Sequence, residues 1–231
     1  MAQRFALYYA PSINTSLWER ASAWLGRDPA TEASFEGAIA GIERAQLLNR
    51  TQSAHRYGFH ATLKPPMRLA EGREPEALRA ALAGFAETAA PVAIGRLQVA
   101  ELDGFLALVP AAESAALRDF AALVVEAFEP FRAPLEPRDR AARAANGLTP
   151  RQEELLDAYG YPYVLDEFRF HMTLTDRLAG AEMAAMRAAA ATWFAPDLGE
   201  PLLLDRLVLY HEAEKGRPFR RIEDFRLSGA A

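Results

Sequence analysis

The sequence has no cysteine among its 231 residues. That absence excludes disulfide bonds, thiolate nucleophiles and sulfur-ligated metal sites. The phosphate-binding P-loop, the nucleophile elbow of the hydrolases and the H-E-x-x-H zinc motif are absent from it as well. Only four histidines are present, too few and too scattered for a histidine-rich metal centre. We therefore expect neither a metal nor a cofactor.

Long apolar segments and excess positive charge are also missing. No window approaches the length of a membrane span, and residues 1–11 lack a signal-peptide cleavage pattern, so a cytoplasmic protein without a membrane partner is expected. The net charge of −5 gives a long nucleic acid no general attraction to the surface. A small phosphorylated substrate held by a few local cations is compatible with it. The oligomeric state stays open.

One short pattern occurs twice, at residues 57–63 and 168–174, as an aromatic, any residue, and then Phe-His-x-Thr-Leu. In a strand, alternate side chains point to opposite faces. The apolar residues then share the core face, and one imidazole and one hydroxyl lie side by side on the polar face. A single His-x-Thr is usually structural, whereas its recurrence favours a site. The candidate catalytic residues are His60, Thr62, His171 and Thr173.

The same alternation selects candidate substrate-binding residues. Lys64 and Arg169 share the polar faces of the two motif strands, where cations can neutralise a phosphate. Tyr8 lies on the polar side of a predicted strand at Arg4–Ala10. Gly58, on the face of His60, would let a ligand approach the backbone closely. All of these placements assume regular strands, because one bulge reverses them.

The periodicity and the turn signals predict eleven further elements. They are the strand Arg4–Ala10, a helix capped at Ser12 or Asn14 and ending at Leu25, helices over about Thr31–Leu48, Pro75–Ala89, Ser114–Phe128, Thr149–Ala158 and Ala181–Phe194, and strands at Val92–Leu102, Phe105–Val109, Leu202–His211 and Phe219–Leu227. A unit of motif strand, helix and hairpin recurs. Without regular βαβ alternation, this order predicts an α+β fold with mainly antiparallel sheets and two similar lobes.

A cluster of arginines occupies the least regular stretch, residues 131–148. Its members are Arg132, Arg138, Arg140 and Arg143. Charge runs are usually solvated surface. The alternative is a mobile basic flap that folds over an anionic substrate. The sequence leaves both interpretations open.

The duplicated His-x-Thr-Leu pattern resembles the 2H phosphoesterase superfamily, which is named for such paired motifs. The longer sequences at residues 56–66 and 160–163 resemble one branch of this superfamily, a family of uncharacterised proteins associated with phosphonate-degradation operons. The resemblance runs from Arg4 to about Leu227. It implies a single bilobal domain over residues 1–231, with two pseudo-symmetric lobes and the motif strands facing each other across a central cleft.

Two histidines in one cleft indicate acid–base chemistry. A neutral imidazole can take a proton from water while a protonated one donates to the leaving oxygen, and threonine hydroxyls can donate to phosphate oxygens. We therefore predict a metal-independent cyclic phosphodiesterase. The resemblance implies a small substrate such as a ribose 1,2-cyclic phosphate. Two alternatives are an RNA-end 2′,3′-cyclic phosphodiesterase and a non-enzymatic module that binds a phosphorylated metabolite.

Overall fold

The structure is a computed structural model that describes residues 3–112, 114–145 and 147–230. The strands are β1 (Arg4–Tyr9), β2 (Ala61–Met67), β3 (Val92–Gly95), β4 (Leu97–Leu102), β5 (Phe105–Pro110), β6 (Met172–Thr173), β7 (Leu202–Leu204), β8 (Arg206–Glu212) and β9 (Arg220–Arg226). The helices are α1 (Ser16–Leu25), α2 (Arg44–Asn49), α3 (Gln52–Tyr57), α4 (Pro75–Thr88), α5 (Ala115–Ala127), α6 (Pro137–Ala144), α7 (Pro150–Tyr159) and α8 (Gly180–Phe194). No helix within the described ranges is long and apolar enough to cross a membrane.

Seven strands form one sheet in the order β4-β5-β6-β2-β1-β8-β9, and β3 pairs with β7 in a small second sheet. Every pairing between these strands is antiparallel. The predicted α+β class with mainly antiparallel sheets is therefore confirmed. The strand β1 is at the centre of the packing, because Phe5 to Ala10 are at most 3% exposed.

The recurring unit is present in both halves of the chain, as β2-α4-β3-β4-β5 and as β6-α8-β7-β8-β9. Equivalent strands pair with each other, β2 with β6 and β3 with β7. The hairpin β4–β5 of the first unit extends the sheet beside β6 of the second. The motif strands are thus neighbours in one sheet and do not face each other across a cleft, because backbone hydrogen bonds join them directly. The division of residues 1–231 into two lobes stays a prediction.

Several predicted boundaries differ from the structure. The helix over about Thr31–Leu48 is wrong: its first part is a loop in which Gly37 and Gly41 have φ of 84° and 79°, and only α2 is helical. The N-cap of α1 is Thr15, whose side chain accepts from the Trp18 amide. The predicted strand Val92–Leu102 is divided into β3 and β4 after Gly95, where φ is +82°. A positive φ leaves the strand conformation, and glycine adopts it without steric cost.

The motif segments are also shorter as strands than the pattern predicts. Tyr57 is the last residue of α3, so the first motif strand begins only at Ala61. The second is reduced to Met172 and Thr173. Both histidines therefore lie immediately before their strands, outside the ladder of backbone hydrogen bonds.

Candidate functional site

The two motifs meet at their central residues, because Ala61 pairs with Met172 in the antiparallel ladder of β2 and β6. Extending this register by one residue each way sets His60 opposite Thr173 and His171 opposite Thr62. Directly opposed residues have Cβ atoms about 5 Å apart. All four predicted catalytic side chains line one cavity of about 460 Å³. A single strand pairing thus brings together two histidines that are 111 positions apart in the sequence.

Both imidazoles are oriented by the carbonyl two residues earlier. Nδ1 of His60 donates to the Gly58 oxygen at 2.8 Å, and Nδ1 of His171 donates to the Arg169 oxygen at 2.7 Å. A carbonyl oxygen only accepts, so Nδ1 is the protonated nitrogen in each neutral ring. Nε2 of His60 lies 3.2 Å from the Thr62 hydroxyl, which donates to it. In both rings Nε2 is the nitrogen that can exchange a proton with a substrate.

Gly58 makes the turn that aims the first of these carbonyls. It follows α3 with φ of 78°, a conformation that favours glycine. A Cβ at this position would lie 2.5 Å from Cγ of Pro29. The glycine is therefore explained locally, by the turn and by the packing on Pro29. This reason differs from the predicted one, that a ligand approaches the backbone closely.

Burial controls the protonation of both histidines. It lowers the pKa of His60 to about 4, against the raising effect of the Gly58 carbonyl and with a further lowering by His171. It also lowers the pKa of His171, whereas the Arg169 carbonyl and the Asp103 carboxylate act in the opposite direction. Desolvation disfavours the charged form of an imidazole. Both rings are therefore neutral in the free protein at pH 7.

Tyr8 contacts the first histidine, at the position that alternation along β1 predicts. Its ring stacks on the His60 imidazole with centroids 3.8 Å apart, and it lines the same cavity. Burial raises the pKa of the Tyr8 phenol well above its usual value, so the hydroxyl stays protonated and able to donate. Its role in substrate binding stays a prediction.

The predicted position of Lys64 is wrong. Its ammonium is 2.8 Å from both the Val125 carbonyl and Glu129, and the residue is 1% exposed and lies outside the cavity lining. The cause is an irregular register between β1 and β2, in which Tyr8 pairs with Thr62 but Leu7 pairs with Lys64. A bulge of this kind turns the following side chain off the expected face.

Arg169 lies beside the cavity and not within its lining. Its backbone carbonyl orients His171, and its exposed side chain lines an adjoining cavity of about 610 Å³. The two cavities share Thr62, Tyr161 and His171. Binding of substrate by Arg169 stays a prediction that concerns this second cavity.

Other cations, which the motif pattern did not select, surround the histidines. Those that line the first cavity are Arg4, Arg68, Arg132, Arg143 and Lys215. They come from β1, from the residue after β2, from the chain around α6 and from the turn after β8, so no sequence spacing connects them. The nearest signal in the sequence was the arginine cluster of residues 131–148.

Two carboxylates beside this cavity are each shared between two cations. The fully buried Glu212 pairs with both Arg4 and Arg56. Glu129 pairs with Lys64 and with Arg132. One negative charge therefore faces two positive charges in each group. The cavity lining itself contains the carboxylates Glu136 and Asp139 against five cations. The cavity wall is therefore locally cationic although the whole chain carries −5, which suits an anionic ligand.

The arginine cluster of residues 131–148 is partly at the cavity and partly on the solvated surface. Arg132 and Arg143 line the cavity, whereas Arg138 is exposed and Arg140 pairs with Asp157 on the surface. The segment also contains α6, which an ion pair between Asp139 and Lys215 links to the turn after β8. Part of the segment is thus cavity wall. Whether it moves as a flap stays a prediction.

Within the part of the chain that the structure describes, no group of three or more histidine or carboxylate side chains is arranged to hold a metal ion. The residues that converge on the cavity are instead the two imidazoles, two threonine hydroxyls and several guanidinium groups. This set is suited to proton transfer and to hydrogen bonding of phosphate oxygens.

The model of one protein family, described as "Protein of unknown function (DUF1045)", matches residues 62–220. The chain belongs to this family. The predicted assignment to a family of uncharacterised proteins is confirmed by the match. The matched range of the DUF1045 family includes Thr62 and the whole second motif, and His60 lies two residues before it.

Two curated relatives share the sequence over nearly all of this chain. Both are named "Ribose 1,5-bisphosphate phosphokinase PhnN". The protein from Janthinobacterium sp. (strain Marseille) is 38% identical over 232 residues, covering 98% of this chain and 51% of the relative. The protein from Laribacter hongkongensis (strain HLHK9) is 35% identical over 217 residues, covering 94% and 50%. The chain therefore spans about half the length of these relatives.

Solved structures that align with this one include a phosphoesterase, with 14% sequence identity, and E. coli LigT in complex with NADP+, with 12% sequence identity. Each aligns over 99% of both chains with a TM-score of 0.43.

Proposed function

We propose that this DUF1045 protein is a metal-independent phosphodiesterase of the 2H type that opens a small cyclic phosphate ester. The observation that carries the proposal is the square of His60, Thr62, His171 and Thr173, set on one cavity wall by the Ala61–Met172 pairing. Acid–base hydrolysis needs a general base for the attacking water, a general acid for the leaving oxygen and hydrogen-bond donors for the charge on the phosphate oxygens. Two imidazoles and two hydroxyls can supply these groups.

The proposed reaction is a hydrolysis in which His60 gains a proton and His171 loses one. Nε2 of His60 takes a proton from water, whose oxygen attacks phosphorus. The bond from phosphorus to one ring oxygen breaks, and His171 donates the proton that this oxygen needs to leave as a hydroxyl. The product is a phosphate monoester of the same molecule. We give the acid role to His171 because the Arg169 carbonyl and the Asp103 carboxylate both favour its protonated form, against burial and the charge of Arg169.

Substrate charge has a defined part in this scheme. Because both imidazoles are neutral in the free protein, one of them must gain a proton before the leaving oxygen can receive it. An anionic ester beside His171 raises the pKa of that imidazole, as any nearby negative charge does. Thr173 donates to one non-bridging oxygen. Thr62 moves its single donor bond from Nε2 of His60 to another, which leaves Nε2 open to the attacking water.

A ribose 1,2-cyclic phosphate is the substrate we favour within this class. The name of the two curated relatives refers to a phosphorylated ribose, and a cavity of about 460 Å³ suits a molecule of that size. Because this chain spans half of those relatives, the kinase activity in their name belongs to the longer proteins and is not carried over here.

The test is hydrolysis of a panel that contains a ribose 1,2-cyclic phosphate and nucleoside 2′,3′-cyclic phosphates, in the presence of EDTA. His60→Ala and His171→Ala should each lose about 10²- to 10⁴-fold in kcat, the usual contribution of a general acid or base. His211→Ala is the matched control, because that imidazole bonds to Gln3 outside the cavity. Turnover that both cavity variants retain would disprove the assigned site.

The panel also separates the two alternatives. A preference for nucleoside 2′,3′-cyclic phosphates would identify an RNA-end enzyme, and binding of the esters without turnover would identify a module for phosphorylated metabolites. Loss of turnover on EDTA addition, restored by a divalent metal, would contradict the metal-independent mechanism.

A further inference from the structure

Arg143 differs from the other cations of the first cavity. Arg4, Arg68, Arg132 and Lys215 each form an ion pair. The guanidinium of Arg143 bonds instead to the backbone carbonyls of Gly160 and Pro66, and it lies 5.4 Å from the centre of the Tyr161 ring. Among the described residues it has no carboxylate partner.

Its surroundings favour a bound anion. Burial lowers the pKa of Arg143, and the nearby charge of Arg4 acts in the same direction, against the raising effects of Tyr161 and Asp139. A partly buried cation without a counter-charge is unfavourable, and an anion placed next to it relieves that cost. The neighbouring cluster of Arg4, Arg56 and Glu212 carries two positive charges and one negative. The two carboxylates of the cavity lining, Glu136 and Asp139, each pair with another cation, Arg68 and Lys215. The wall around Arg143 therefore carries a net positive charge.

The position is separate from the reacting groups. Arg143 reaches the cavity from α6, whereas the two histidines reach it from the residues that precede β2 and β6. The two carbonyl bonds hold the guanidinium through one N–H of each terminal nitrogen. Its remaining N–H groups have no hydrogen-bond partner among the described residues and are available to a ligand in the cavity. A planar guanidinium held in this way is suited to two parallel bonds to phosphate oxygens.

We propose that Arg143 binds a second phosphate group of the substrate, so that the natural substrate is a cyclic phosphate ester bearing a phosphomonoester on the same small molecule. This inference rests on the proposed function and narrows its substrate class. The second phosphate anchors the molecule between α6 and the sheet while the cyclic phosphate lies at His60 and His171.

Binding can be tested without turnover. Ribose 5-phosphate and ribose are titrated into the wild-type protein and into the Arg143→Met, Arg143→Lys and Arg138→Ala variants by calorimetry. Methionine keeps the length of the side chain on Tyr161 and removes the charge. We expect Arg143→Met to weaken ribose 5-phosphate by at least about tenfold, the effect of losing a charge-assisted hydrogen bond. Lysine should retain more affinity, and Arg138→Ala, exposed on the same helix, should bind as the wild type does.

Turnover gives the second readout. Ribose 1,2-cyclic phosphate is compared with and without a 5-phosphate, and Arg143→Met should lower kcat/KM at least about tenfold more for the phosphorylated member. An equal loss on both members, or ribose 5-phosphate affinity that is unchanged in Arg143→Met, would overturn the inference. A thermal melt of each variant shows whether the fold is intact, and Arg143→Lys replaces Arg143→Met if the latter does not fold.

The two proposals fail in different ways. If no cyclic phosphate is hydrolysed but ribose 5-phosphate binds and depends on Arg143, the phosphate subsite stands and the enzymatic proposal fails. If cyclic phosphates are hydrolysed without preference for a second phosphate, the enzyme stands and the subsite is disproved.

Discussion

The ring of Tyr8 stacks on the imidazole of His60, with centroids 3.8 Å apart and planes inclined by 22°. The stack holds the imidazole against β1, and the bond from Nδ1 to the Gly58 carbonyl fixes its tautomer. Packing on Tyr8 also removes the imidazole from water, and burial is the main cause of its lowered pKa. One tyrosine thus contributes to the orientation and to the protonation state of the proposed base.

Substitution of Tyr8 should separate these contributions. Tyr8→Phe keeps the stack and removes the hydroxyl, so we expect kcat to change little and KM to rise severalfold, for one lost hydrogen bond. Tyr8→Ala removes the stack, and we expect kcat to fall at least about tenfold because His60 loses its fixed position. Steady-state kinetics on the preferred cyclic phosphate measures both. Equal kinetics for the two variants would show that the ring does not position His60.

Gly58 should be sensitive to the smallest substitution. In Gly58→Ala the new methyl group would lie 2.5 Å from Pro29 Cγ on a backbone with positive φ, so we expect a loss of about 1–3 kcal/mol in the free energy of unfolding. Chemical denaturation measures it. Gly72→Ala is a matched control for the backbone effect, because its φ is 73° and nothing lies within 4 Å of a Cβ there. A larger loss at Gly72 would contradict the packing argument.

Removal of either partner of the Lys64–Glu129 ion pair should lower the free energy of unfolding, but by different amounts. In Glu129→Gln, Lys64 keeps only the Val125 carbonyl as partner for a buried charge, and we expect a loss of about 3–5 kcal/mol in unfolding free energy. In Lys64→Met, Glu129 is still paired with Arg132, so the loss should be smaller. Urea denaturation at pH 7 compares them. The reverse order would show that Lys64 does not depend on Glu129 for its charge.

The lowered pKa of His60 links stability to pH. Its folded value of about 4 lies below the ordinary 6.5, so the unfolded chain binds more protons between these values. This contribution to stability is complete above about pH 6.5 and is lost as the pH falls towards 4, by at most about 3 kcal/mol. The free energy of unfolding of His60→Asn should vary less over this range than that of the wild type. An unchanged pH dependence in the variant would contradict the burial of His60.

The activity should have a related pH profile. With His60 neutral above about pH 4 and the pKa of His171 below its ordinary value, the required pair of one base and one acid is most populated on the acidic side of pH 6.5 in the free enzyme. We therefore expect kcat/KM to fall as the pH rises through and above the ordinary histidine range, since kcat/KM reports the pKa values of the free enzyme. An increase of kcat/KM up to pH 8 would contradict the acid role of His171.

The sequence by itself determined the catalytic candidates. The repeated His-x-Thr pattern depends only on side-chain alternation, and it identified four of the residues that line the cavity. Alternation along the first predicted strand identified Tyr8, which lines the cavity as well. The α+β class followed from the same local periods. Helices with strong caps, such as α5 after Ser114 and α7 after Thr149, were likewise predictable, because capping is a contact between residues three apart.

Only the tertiary structure decided the rest. The pairing of Ala61 with Met172, the bulge that turns Lys64 towards Glu129, and the convergence of Arg4 and Arg143 on one cavity are contacts between segments far apart in the chain. Local propensity carries no information about which distant strands pair or where a ladder slips by one residue. The fold therefore decides which cations could hold a phosphate, whereas the histidines that would transfer protons can be identified from two short stretches of sequence.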